Sequence, residues 1–79
     1  TITNYSGATI TNNNQIINNN VGTITNSSGA TITNSSGANI INCATFNNSG
    51  EITGDGSICS KNDINNMKVL PCSSSICPT

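Results

Sequence analysis

Residues 1–22, TITNYSGATITNNNQIINNNVG, lie over residues 23–44, TITNSSGATITNSSGANIINCA, without a gap and with the first twelve positions nearly identical. A recurrence at this spacing restricts the chain to a repeat architecture, in which each unit buries its apolar face only by stacking on its neighbours. Inside each unit the alternation is clean. Thr1 and Thr3 flank Ile2, Thr9 and Thr11 flank Ile10, and the same holds around Ile24 and Ile32. A period of two means strand, with Ile on one face and Thr on the other. Ser-Gly and Asn-rich pairs come after each strand and supply residues that tolerate positive φ.

Following the inward apolar residue gives Ile2, Ile10, Ile16 or Ile17, Ile24, Ile32, Ile40, Phe46, Ile52, Ile58, Ile64, Leu70 and Ile76. The steps make two coils of 22 residues, and from Phe46 onward every step is six. Three short strands per coil predict an all-β fold, a three-sided parallel β-solenoid of about four coils, first of 22 and then of 18 residues. Antiparallel hairpins also explain the alternation, but not the in-register recurrence. The whole chain, 1–79, reads as one domain. Residues 1–44 are two repeats, 45–66 a degenerate coil, and 67–79 a Cys- and Pro-containing coil or cap, with Pro71 and Pro78 breaking the strand pattern. A complete strand at Thr1 with no capping segment ahead of it predicts an open N-terminal edge.

Only 6% of the 79 residues are charged and 3% aromatic, with no His or Trp and a formal net charge of -1. Lys61 and Lys68 are the only basic side chains, which leaves no electrostatic footprint for nucleic acid or an anionic membrane. No apolar stretch approaches the ~20 residues of a membrane span. The chain starts with Thr1 rather than Met and shows no signal peptide, so it reads as processed or excerpted.

Four cysteines in a short, nearly uncharged chain predict two disulfides and an extracellular location, in preference to a zinc site. Cys59 and Cys77 follow Ile58 and Ile76, one 18-residue coil apart, and are expected to pair on adjacent rungs. Cys43 and Cys72 are then paired by elimination.

Asn4, Asn12, Asn26 and Asn34 each follow Thr-Ile-Thr, so alternation turns them inward, Asn4 under Asn26 and Asn12 under Asn34. Stacked amides satisfy one another from rung to rung. The competing reading is N-glycosylation at Asn4, Asn26, Asn34 and Asn47, each of which sits in an N-x-S pattern. Such patterns arise by chance in an Asn/Ser-rich chain, which favours the ladder.

The Thr-Ile-Thr-Asn strings, together with residues 46–54, FNNSGEITG, resemble the repeats of secreted parallel β-helix proteins, as in bacterial adhesin and autotransporter passengers. The Thr-x-Thr rows resemble those of insect antifreeze β-solenoids. These resemblances imply a secreted, non-enzymatic solenoid.

Nothing in the chain favours catalysis. There is no His for general-base work, and the carboxylates are Glu51, Asp55 and Asp63. Gly54-Asp55-Gly56-Ser57 has one carboxylate and reads as a tight turn, not a calcium loop. No cofactor or metal site is expected. Two functions remain in view, beside a third reading as a fragment of a larger surface adhesin. In the first, the open N-terminal coil meets the far end of an identical molecule, giving head-to-tail assembly into a filament or surface matrix. In the second, Thr1, Thr3, Thr23 and Thr25 on one face, and Thr9, Thr11, Thr31 and Thr33 on another, form hydroxyl-and-methyl rows that bind ice.

Overall fold

A computed structural model describes residues 1–77, and Pro78 lies outside the described residues. Among the described residues nine strands succeed one another: β1 Ile2–Asn4, β2 Thr9–Asn12, β3 Gln15–Asn18, β4 Thr23–Asn26, β5 Thr31–Asn34, β6 Asn39–Asn42, β7 Thr45–Asn48, β8 Glu51–Thr53 and β9 Ser57–Ser60. They stack as three sheets, β1-β4-β7, β2-β5-β8 and β3-β6-β9. All the pairings between these strands are parallel, which removes the hairpin alternative. The chain is a short three-sided parallel β-solenoid.

Each strand obeys one rule: an inward apolar residue near its start and, in all but β8 and β9, an inward Asn at its end. The corners obey a second rule. After Asn4, Asn26 and Asn34 come four residues ending Ser-Gly-Ala, in which the Ala N–H donates to the carbonyl three residues back at 2.9 Å. Gly7, Gly29 and Gly37 hold φ of 85°, 83° and 83°, as the third position of a type II turn requires. After Asn12 and Asn42 come only two residues, and there the Asn Oδ1 accepts from Asn14 N or Ala44 N at 3.3 Å, an Asx turn.

These corner lengths correct the gapless overlay. Coils 1 and 2 exchange a two-residue for a four-residue corner on either side of their third strand. Ile16 therefore pairs with Ile40 and Asn18 with Asn42, a separation of 24 rather than 22. Ile16 points inward, and Ile17, the other candidate, is 50% exposed on the outer face.

The core is the stack Ile24, Ile32, Ile40 and Phe46, closed from above by Ile64, with Ile10, Ile16, Ile52 and Ile58 packed against it. Ile32 lies between Ile10 and Ile52, as the spacing predicts. Ile2 is in register with Ile24 but 39% exposed, with nothing stacked beneath it among the described residues.

The stack has three coils, not about four. Its strands end at Ser60, and residues 61–77 fold across the upper end as a cap. Ile64 still enters the core, but Asn66 then takes φ 69°, which turns the chain and ends the alternation. Met67 and Val69 pack inward instead. Leu70 forms one parallel bridge to the outward-facing Cys59, so it too faces out and is 76% exposed. Ile76, in the turn closed by its N–H on Ser73 O, is 49% exposed. Neither Leu70 nor Ile76 is a core residue, although both keep the six-residue rhythm.

Candidate functional site

The inward Asn residues build three ladders along the stack, the first with Asn in all three coils. Asn4 Nδ2 donates to Asn26 Oδ1 at 2.9 Å, and Asn26 Nδ2 to Asn48 Oδ1 at 3.0 Å. Asn12 donates to Asn34 at 2.9 Å. Asn18 donates to Asn42 at 2.8 Å, and Asn42 to Ser60 Oγ at 2.9 Å. Most of these amides also span a corner of the coil above. Asn4, Asn12 and Asn18 donate at 2.9 Å to the carbonyls of Thr31, Asn39 and Thr45, the first residues of the next strands. Asn26 and Asn34 do the same to Glu51 O and Ser57 O at 3.1 Å. One side chain thereby fixes both the rung spacing and the corner, in a buried position where an unmet amide is costly.

Asn4, Asn26 and Asn34 are thus buried and bonded, and of the four glycosylation candidates only Asn47 has an exposed side chain. The third ladder, through Asn18 and Asn42, was hidden by the gapless overlay. The signal that reveals it is Asn at the fourth position of each of the first seven strand units. The second ladder stops at Asn34, because the position above it is Gly54, at φ 99°. A Cβ there would lie 2.1 Å from Asn34 O.

The Thr rows fall on two separate faces. On the first sheet Thr3 pairs with Thr25 and then Asn47, and Thr23 with Thr45. On the second, Thr9 and Thr31 are followed by Glu51, whereas Thr11, Thr33 and Thr53 form one unbroken column of three. Thr1 precedes β1 and stands outside these pairings. The third sheet differs: its outer face carries a row of Ile17, Ile41 and Cys59 beside exposed Leu70 and Ile76, an apolar strip that the Thr-Ile alternation did not predict.

The disulfides pair differently from the expectation. Cys43 joins Cys77 and Cys59 joins Cys72, with Cα separations of 5.2 and 4.8 Å. A Cys59–Cys77 bridge needs residues 60–77 to complete another coil of strands, and they form the cap instead. The Leu70 bridge to Cys59 runs the cap along the β9 edge and sets Cys72 beside Cys59. The turn at residues 73–77 then carries Cys77, which is buried, back to Cys43 at the corner between β6 and β7.

The two ends of the stack are chemically unlike. Above, Ser60 N donates to Leu70 O at 2.9 Å, Asn48 N donates to Asn65 Oδ1 at 2.8 Å, and the side chains of Asn65 and Asn66 both donate to Asn48 O. Below, β1, β2 and β3 are the outer strands of their sheets, with nothing paired beneath them among the described residues. Also among the described residues, no three of His, Cys, Asp and Glu gather where they could hold one metal ion, and no helix is long and apolar enough to cross a membrane. Comparison with family models, curated proteins and solved structures found no match to this chain.

Proposed function

We propose that this chain is a non-enzymatic, extracellular structural module: a β-solenoid end piece that closes a stack with its cap and joins further β-coils through its open first coil. The observation that carries this reading is the asymmetry of the ends. Three strand edges with nothing paired beneath them among the described residues surround a half-exposed Ile2 at the bottom, a surface suited to strand addition. The cap at the other end already occupies the β9 edge and the Asn48 carbonyl, which counts against an unlimited head-to-tail filament of identical copies. Two disulfides suit an oxidising compartment, and the near-zero charge spares stacked modules like-charge repulsion. The carboxylates Glu51, Asp55 and Asp63 are all exposed and no His accompanies them, a poor basis for acid–base chemistry.

The test is a chain carrying a second copy of residues 1–22 ahead of Thr1. The added coil is expected to dock in register, raise the melting temperature and slow amide hydrogen exchange in β1–β3. An added coil that exchanges freely, with β1–β3 unchanged, overturns the reading.

Ice binding is the second reading, favoured by the Thr11–Thr33–Thr53 column with its rungs ~4.8 Å apart. Its weakness is width, since the neighbouring column ends in Glu51. Thermal hysteresis that falls when Thr33 is replaced by a bulky side chain supports this reading, and absence of hysteresis removes it.

A further inference from the structure

The geometry points to a directional open end: it accepts a coil stacked in the same sense as its own, with Asn at all three strand ends, and rejects a second copy of itself turned end to end. This rests on the open-end reading and adds the chemistry of the partner.

Every amide–amide bond in the ladders runs one way. The lower Asn donates with Nδ2, and the upper one accepts with Oδ1. The orientation is not an arbitrary choice between the two ends of an amide. Each lower Nδ2 also points at a backbone carbonyl, of Thr31, Asn39 or Thr45, which can only accept. Flipping any one of these amides would set its oxygen against both a carbonyl and the next Oδ1. The direction is therefore locked at all three corners.

The first coil then ends in three acceptors. Asn4, Asn12 and Asn18 are only 4%, 6% and 6% exposed, and their Nδ2 groups are engaged upward. Their Oδ1 atoms face the position from which, higher in the ladders, the Nδ2 of a lower rung donates. Asn12 Oδ1 takes only the local Asn14 N–H at 3.3 Å. Asn42, in the same two-residue type of corner, shows that such an oxygen has room for both: it accepts Ala44 N at 3.3 Å and Asn18 Nδ2 at 2.8 Å. One slot at Asn12 is thus open, and equivalent slots face the same end at Asn4 and Asn18.

Three acceptors that face the lower end, where water reaches them, match three donors at the spacing of a solenoid cross-section. A coil of the first or second type supplies them. The third coil of this chain does not, because the positions in its ladders are Asn48, Gly54 and Ser60, and its cap covers them. Two copies meeting by their open ends bring acceptor against acceptor, and three amide oxygens of each lose water without gaining a donor.

The experiment compares three chains extended by a copy of residues 1–22. The first keeps the added sequence. The second changes to Asp the added Asn residues that correspond to Asn4, Asn12 and Asn18. The third changes to Asp the added residues that correspond to the exposed Asn13, Asn19 and Asn20. Hydrogen exchange in β1–β3 at neutral pH is expected to slow at least tenfold in the first and third chains and to stay unchanged in the second. At about pH 3, where the carboxyls protonate and each regains one donor, protection is expected to return to the second chain. Docking of the second chain at neutral pH, or failure of the third, overturns the directional inference while leaving the open end intact. Failure of the first chain overturns the open-end reading itself. Sedimentation of the unextended protein supplies an independent check: it is expected to remain monomeric at millimolar concentration, and an end-to-end dimer would overturn the inference.

Discussion

Asn26 shows what a single residue does here. Its side chain is fully buried, accepts from Asn4, and donates to Asn48 Oδ1 and Glu51 O. An aliphatic side chain in that position would fill the space no worse, but it would strand three partners in three different segments. With net values of ~1 kcal/mol per hydrogen bond and more for a buried group left unmet, Asn26→Ala is expected to cost ~3 kcal/mol or above. Asn47→Ala, one residue from Asn48 but exposed, is expected to change stability by less than ~0.5 kcal/mol. Urea denaturation of both variants checks the contrast. Equal effects would mean that the ladder contributes little beyond the volume of its side chains.

At the scale of the element, the strands are nearly interchangeable and the corners are not. A four-residue corner with glycine in the left-handed region and a two-residue Asx corner both connect strands at the same crossing, but they set different registers for the next strand. Gly7 and Gly54 separate the two demands on a glycine. A Cβ at Gly7 meets nothing within 4 Å, so Gly7→Ala carries only the penalty of a positive φ, ~1–2 kcal/mol. At Gly54 the same φ penalty is joined by collision with the Asn34 backbone, which belongs to a strand already fixed from both sides. Gly54→Ala is expected to lower the melting temperature at least twice as far as Gly7→Ala. A smaller shift at Gly54 would show that the β8–β9 corner yields easily.

For the whole molecule the controlling feature is closure of one end. A chain of 79 residues has little core to spare. The cap covers that core with Ile64, Met67 and Val69, and the disulfides hold it to both the second and the third coil. The loops they close span 34 and 13 residues, worth ~4 and ~3 kcal/mol in the chain-entropy model. Replacing Cys43 and Cys77 together by Ser is therefore expected to destabilise the protein more than replacing Cys59 and Cys72. Thermal melts of the two double variants test the order, and peptide mapping without reductant is expected to yield Cys43 joined to Cys77. Recovery of Cys59 joined to Cys77 would mean that residues 61–77 form another coil after all.

Much of this was legible in the chain itself. Strand positions, the inward Ile and outward Thr, the parallel stacking of 1–44 and two of the three Asn ladders stem from a period of two nested in a longer repeat. These are local properties, repeated where every unit has the same neighbours above and below. The tertiary structure alone decided the features that depend on having no such neighbour. The six-residue rhythm runs on through Leu70 and Ile76, yet a strand forms only where it gains a rung to pair with and an interior to fill. Past Ser60 the chain lowers its free energy further by folding over the exposed core, and that choice moved Leu70 and Ile76 outside and re-paired the cysteines. The direction of the ladders was equally beyond the letters, since Asn carries donor and acceptor alike. It took the corner carbonyls of Thr31, Asn39 and Thr45, brought close only in the folded coil, to orient the amides and turn the oxygens of Asn4, Asn12 and Asn18 away from the cap.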